Sequence, residues 1–102
     1  MLSIVIPLYN EADLIDELLS RTLSMAQKVS EDYEIIIIDD GSTDNTLASL
    51  LKHRESDSKI KIIQLSRNFG HQAAYTAGLQ NSKGDFIAIL DGDLQDPPEL
   101  IS

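Results

Sequence analysis

Four consecutive isoleucines, Ile35 to Ile38, constrain this chain more than any other feature. Isoleucine branches at Cβ, which stiffens its side chain and favours extended backbone over helix. An apolar run with no polar residue at alternate positions must bury both faces of its strand. That is the condition of a strand inside a parallel sheet, with helices above and below. Three other segments join Glu34-Ile35-Ile36-Ile37-Ile38 as strands. Ser3-Ile4-Val5-Ile6-Pro7 and Phe86-Ile87-Ala88-Ile89-Leu90 read as buried strands, while Ile60-Lys61-Ile62-Ile63-Gln64-Leu65 alternates as expected nearer a sheet edge.

Helical patterns separate these runs. Leu14, Ile15, Leu18, Leu19, Thr22, Ala26 and Val29 recur at three- and four-residue steps and predict an amphipathic helix. A second helix is expected from Thr43 or Asp44, capped by Ser42 or Thr43, with Leu47, Leu50 and Leu51 turned inward. A third covers about Gly70 to Gln80, where Ala73, Ala74, Ala77 and Gly78 allow close packing. The order βαβαβαβ predicts an open, mostly parallel α/β sheet with helices on both faces. Met25 and Phe69 are expected in the core and His53 in solvent. Asp96-Pro97-Pro98-Glu99 reads as the opening of another helix, which predicts that residues 1–102 are the first half of a larger domain.

Charge then narrows the function. Seventeen acidic against eight basic residues give a net charge of −9, which argues against nucleic-acid binding. The absence of cysteine excludes disulfides, thiolate catalysis and cysteine-ligated zinc. No apolar run approaches the ~20 residues needed to cross a bilayer. Neither G-x-G-x-x-G nor a P-loop is present.

Ligands of open parallel sheets bind at the carboxyl ends of the strands. The unusual polar residues collect there: Tyr9-Asn10-Glu11, Asp39-Asp40-Gly41-Ser42, Ser66-Arg67-Asn68 and Asp91-Gly92-Asp93-Leu94-Gln95. Glycine lets the backbone bend sharply after the fourth strand, so Asp91 and Asp93 can turn toward one point, and Gln95 offers a further oxygen. Hard oxygen donors suit Mg2+ or Mn2+, which bridge carboxylates to substrate phosphates and supply the positive charge the chain lacks.

These segments resemble the glycosyltransferases of family 2, which have the GT-A fold. The likeness runs through Pro7-Leu8-Tyr9-Asn10-Glu11, Asp39-Asp40-Gly41-Ser42-Thr43-Asp44, Ser66-Arg67-Asn68-Phe69-Gly70-His71-Gln72-Ala73-Ala74 and Asp91-Gly92-Asp93-Leu94-Gln95-Asp96-Pro97-Pro98-Glu99. It is closest to the branch that moves a sugar onto a polyprenyl phosphate, such as dolichol-phosphate mannose synthases and bacterial undecaprenyl-phosphate glucosyltransferases. The resemblance implies a Rossmann-like nucleotide-sugar-binding half, with Pro7, Tyr9 and Glu11 lining the nucleotide pocket. It implies that Asp40 hydrogen-bonds the base with Asp39 beside it, and that Asp91 lies near the ribose and diphosphate. Asp93 is then the main metal ligand and Gln95 a second. Asp91 and Asp93 carry the catalysis, and Arg67 contacts the diphosphate or the acceptor phosphate.

The implied reaction is inverting, metal-dependent transfer from a nucleotide diphosphate sugar, UDP favoured over GDP, to a polyprenyl phosphate or other glycan acceptor. The setting implied is the cytoplasmic face of the membrane, with membrane contact made by parts beyond this segment. Residues 1–102 alone are expected to bind donor weakly or not at all and not to turn over, and a half-built core could drive homo-oligomerisation.

Plainer roles stand beside these. Asp39 and Asp40 could cap the second helix, Glu11 could favour the positive end of the first, Tyr9 could serve packing, Gln95 could be a surface residue, and Arg67 could pair with a carboxylate. Two other classes share an acidic pocket on a parallel sheet: aspartate-dependent phosphatases of the haloacid-dehalogenase type, and receiver-like signalling modules. The first places its D-x-D after the first strand, the second a phospho-acceptor Asp after the third, and neither matches here.

Overall fold

The computed structural model describes residues 1–89, so Asp91, Asp93, Gln95 and the expected helix at Asp96-Pro97-Pro98-Glu99 lie outside the described residues. The described elements are β1 (Leu2–Leu8), a 3-10 turn (Ala12–Leu14), α1 (Ile15–Val29), β2 (Tyr33–Asp39), α2 (Thr46–Ser56), β3 (Ile60–Gln64), α3 (His71–Asn81) and β4 (Phe86–Ile89). All strand pairs are parallel, in the spatial order β3-β2-β1-β4. The chain therefore builds outward from β1 to β3, then crosses back through α3 to place β4 on the other side of β1. The expected open parallel α/β sheet is what forms.

Side chains of β1 and β2 alternate between two cores, as the pleat requires. On one face Leu2, Ile4, Ile6, Leu8, Ile35, Ile37 and Ile60 pack with Ile15, Leu18, Leu19, Met25 and Ala26 of α1 and Leu50 of α2. On the other, Val5, Ile36 and Ile38 meet Ala74 of α3. Ile35 to Ile38 are all 0% exposed, which accounts for the uninterrupted isoleucine run. Each such buried side chain is worth roughly 1.5–3 kcal/mol. An exposed helix pair such as Arg21–Glu17, 3.6 Å apart, belongs to a class worth about 0.3–0.5 kcal/mol, so burial in the sheet decides the fold.

Close approach on the α3 face depends on Gly78. A Cβ there would lie 2.4 Å from Val5 Cγ1 and 2.7 Å from Ile38 Cδ1. The turn from α3 to β4 is fixed by side chains of the central strands. Glu34 accepts hydrogen bonds from the Lys83 N–H at 2.6 Å, the Lys61 ammonium at 2.6 Å and the Ser3 hydroxyl, and Ser3 Oγ accepts the Gly84 N–H at 2.8 Å. Burial pushes the Glu34 carboxyl up, and the bonds from Lys61, Ser3 and the Lys83 N–H more than offset it, leaving the group below its ordinary range.

Several expectations need correction. Burial on both faces holds for β1 and β2 but not for β4, which among the described residues lies at the edge of the sheet with Phe86 75% exposed. Val29 and Leu51 are exposed at the outer turns of α1 and α2, Leu47 is half-buried, and Ala73 faces solvent while Ala74 is buried. α2 starts at Thr46 rather than Thr43 or Asp44, because Asp44 Oδ1 accepts the Thr46 N–H at 2.9 Å and makes a turn before the helix. Neither Ser42 nor Thr43 caps it. Phe69 is exposed, not core. His53 is half-buried and its Nε2 lies 2.7 Å from Asp16 Oδ1, tying α2 to α1. Met25 is buried as expected. Among the described residues, no helix is long and apolar enough to cross a membrane.

Candidate functional site

In the order β3-β2-β1-β4, the connection from β1 runs to β2 on one side and the crossover from β3 returns to β4 on the other, the topological switch at which open α/β sheets place a crevice beyond the carboxyl ends of the strands. Pro7 lies on this crevice. The Leu2 N–H donates to Asp32 and the Leu8 carbonyl accepts from Asp40, so the even positions of β1 hydrogen-bond toward β2. By alternation the odd positions, Pro7 included, face β4, and the last described pair there is Val5 with Ile89. A proline is tolerated in this central strand because its missing N–H falls where no described partner strand runs.

Beyond Pro7 the exit loops of β1 and β2 are stitched together. Asn10, at φ 53°, donates its N–H to Ser42 Oγ at 2.9 Å and accepts the Thr43 N–H on Oδ1 at 2.8 Å. The Glu11 N–H donates to Thr46 Oγ1 at 3.1 Å, and the Glu11 carbonyl accepts from Leu14 to open the 3-10 turn. Thr46 also donates its hydroxyl to Asp44, and that bond holds the Asp44 carboxyl below the usual carboxylate range. Tyr9 stands at the rim, 37% exposed.

Asp39 ends β2 and Asp40 follows it, each 1% exposed. Asp39 Oδ1 accepts the Ser42 N–H at 3.0 Å. Asp40 reaches the other way: Oδ1 accepts the Phe69 N–H at 2.8 Å and Oδ2 the Gly70 N–H at 3.0 Å, just ahead of α3. Neither caps α2. Gly41, at φ 72°, lets the β3 exit loop come down on it, since a Cβ would lie 2.2 Å from the Arg67 carbonyl carbon and 2.4 Å from the Asn68 nitrogen. Arg67 is exposed, its guanidinium carbon 4.7 Å from the centre of the Phe69 ring, and no described carboxylate pairs with it.

Pro7, Tyr9, Glu11, Asp39, Asp40 and Arg67 thus come together at one edge of the sheet. Sequence reading named Asn10, Ser42, Thr43 and Asp44 at the strand ends but not the bonds by which they join the loops, and it missed Thr46. Their signal was the density of Asx and hydroxyl residues in two loops, a composition that favours local side chain to backbone bonding. Among the described residues, no group of three His, Asp or Glu side chains could hold a metal. The other candidate donors, Asp91, Asp93 and Gln95, lie outside the described residues; their side-chain oxygens are hard donors, chemically suited to Mg2+ or Mn2+.

Known proteins share this fold. The mannosyltransferase of Pyrobaculum calidifontis in complex with GDP-Man and Mn2+ superimposes with a TM-score of 0.81 at 24% identity, over 90% of this chain and 27% of that one. S. aureus TarS in complex with UDP-GlcNAc gives 0.77 at 29% identity, over 90% of this chain and 26% of that one. In sequence, an uncharacterized glycosyltransferase of Bacillus subtilis (strain 168), YkcC, is 46% identical over 97% of this chain and 31% of its own length. An undecaprenyl-phosphate 4-deoxy-4-formamido-L-arabinose transferase of Salmonella choleraesuis (strain SC-B67) is likewise 46% identical, over 97% and 31%. The chain spans about 31% of the length of these two relatives. Residues 3–102 match the family model for glycosyl transferase family 2, and the chain belongs to that family.

Proposed function

We propose that residues 1–102 form the nucleotide-sugar-binding half of a sugar transferase that uses a nucleotide diphosphate sugar and a polyprenyl phosphate acceptor. One observation carries this: the exit loops of β1, β2 and β3 are joined at the edge where the topology opens a crevice, and a D-x-D motif follows the strand on the far side of that crevice. Solved relatives hold GDP-Man with Mn2+ or UDP-GlcNAc, and a curated relative is named for an undecaprenyl-phosphate acceptor. We favour a UDP-sugar donor and action at the cytoplasmic face of a membrane.

In this reading Pro7, Tyr9, Glu11, Asp39 and Asp40 border the nucleoside, and Arg67, which pairs with no carboxylate among the described residues, offers its guanidinium to phosphate. Asp91, Asp93 and Gln95 would hold Mg2+ or Mn2+, which when bound acts as a Lewis acid on the departing diphosphate. An acceptor phosphate oxygen is already anionic, so it can attack the anomeric carbon without a strong base. The new carbon–oxygen bond forms as the bond to the diphosphate breaks, with inversion. The chain's part is to position donor and charge in advance.

Paramagnetic broadening in NMR spectra tests the site and detects weak binding. With UDP and Mn2+ together, amides of Tyr9 to Glu11, Gly41 to Ser42 and Arg67 to Phe69 are expected to broaden, while those of Ser30 to Tyr33 and Lys83 to Asp85 stay sharp. Asp93→Ala should remove the effect. Broadening confined to the opposite loops, or indifferent to Asp93→Ala, would reject the proposal.

A further inference from the structure

We infer that the open edge of β3, with the groove beside it, is a docking site for an acidic, extended segment of a partner protein, which adds there as a further strand. The site lies at the end of the sheet where β3 begins, opposite the donor crevice, and it stands whether or not the donor reading does.

Three observations converge. The first is charge. Positions 52–61 carry Lys52, Arg54, Lys59 and Lys61, half of the chain's eight basic residues, against Glu55 and Asp57. Of seventeen acidic and eight basic residues in all, the other positions therefore hold fifteen and four. One short stretch is net positive on a strongly negative chain. Within it Lys59 lies 4.2 Å from the centre of the Tyr33 ring and Lys61 is held by Glu34. Lys52 and Arg54 pair with no carboxylate among the described residues.

The second is shape. Leu51, Arg54, Glu55, Ser58, Ile60 and Lys61 line a groove of about 580 Å3 between α2 and β3. Ile60 is buried, whereas Leu51, an inward leucine by its spacing, is 43% exposed. An open leucine beside an unpaired arginine suits a ligand that is apolar on one residue and negative on the next.

The third is backbone. The Ile35 N–H donates to the Lys59 carbonyl and the Leu65 N–H to the Asp39 carbonyl, so the odd positions of β3 hydrogen-bond toward β2. The even positions face outward. The Ile60 N–H is taken by the Asp57 carbonyl, but beside the Ile62 and Gln64 N–H groups and the Ile60 and Ile62 carbonyls no strand runs among the described residues. A lysine commonly guards such an edge, yet the Lys61 ammonium is drawn onto Glu34 at 2.6 Å. An edge in this state accepts an added strand, whose backbone bonds supply affinity while its side chains supply choice. The positive stretch and the groove make that choice an acidic segment with apolar residues in alternation.

A short peptide of alternating valine and glutamate is the probe, read by NMR titration of residues 1–102. Amides of Ile62, Gln64 and Leu51 to Ser58 are expected to shift, with those of Tyr9 to Glu11 and Arg67 to Phe69 unmoved. Arg54→Glu should weaken this peptide by about fivefold and admit its lysine counterpart, while Glu55→Gln should tighten it by about twofold, the sizes of exposed charge pairs. A gain of binding cannot come from a damaged fold. Methylating the peptide N–H groups of the valines or of the glutamates should abolish binding in one case and spare it in the other, because an added strand turns only alternate groups toward its neighbour.

Unmoved Ile62 and Gln64 amides would overturn the inference, as would a lysine peptide that binds the unsubstituted chain equally well or two methylated peptides that behave alike. Shifts at the same amides that grow with protein concentration in the absence of peptide would make a second copy the occupant instead. Shifts with vesicles of anionic phospholipid but not with the peptide would replace the protein partner by a lipid surface.

Discussion

At the amino edge of the sheet Glu34 is buried beside a cation, with the Lys61 ammonium at 2.6 Å and Lys83 and Ser3 as further donors. At the carboxyl edge Asp39 and Asp40 are buried at least as deeply, yet the donors that reach them are backbone N–H groups of Ser42, Phe69 and Gly70. The same chemical problem, a carboxylate away from water, has two solutions. A lysine beside Glu34 makes the amino edge a clasp for the α3–β4 turn. Backbone N–H groups shape the carboxyl edge, with no counter-ion on Asp39 or Asp40 among the described residues. An edge of that kind welcomes a ligand that arrives with a cation.

The comparison breaks most easily at the clasp. Glu34→Ala leaves the Ser3 hydroxyl and the Lys83 N–H without their acceptor, and should destabilise the fold by about 3 kcal/mol in chemical unfolding. A cost under half of that would mean that solvent replaces the carboxylate and the clasp is superficial. At the other edge Gly41→Ala should cost roughly 2 kcal/mol, from a left-handed backbone and a Cβ driven into the Arg67 backbone. Its signature differs, because the disturbance should reach amides of Arg67 to Gly70 while those at Lys83 to Asp85 stay as they were.

The finest contrast is in pH. Glu34 is held below its ordinary range, so the stability it contributes is complete above the unfolded-state value and is lost as pH falls through the lower folded one. Replacing it with Gln should flatten this acid limb of the stability profile. An acid limb equally steep in Glu34→Gln would assign the dependence to other carboxylates.

Much of the fold was legible because β-branched runs report local extension and helix-spaced leucines report a buried stripe. Ile35 to Ile38 and the pattern from Ile15 to Ala26 are of this kind, and strand positions read from them agree within a residue or two with β1, β2 and β3. Which strand is an edge is not a local property. Phe86 to Ile89 has the composition of a core strand, yet among the described residues no strand pairs with its side away from β1. The candidate site divides in the same way. Its residues were visible as polar side chains at strand ends, but their partners were not, since Asp40 finds Phe69 across 29 positions and Asn10 finds Ser42 across 32. Likewise His53 reads as a solvent-facing side chain until α1 and α2 are packed side by side and Asp16 meets it.

Gly78 has a consequence that reaches well past its own position. By letting α3 settle onto Val5 and Ile38, it sets the height at which that helix rides over the sheet, and α3 begins at the loop that Asp40 grips. The helix is thus a lever resting on a pivot made by a missing side chain. Trimming Val5 or Ile38 beneath the pivot would lower the helix toward the sheet, whereas a side chain at position 78 would lift it.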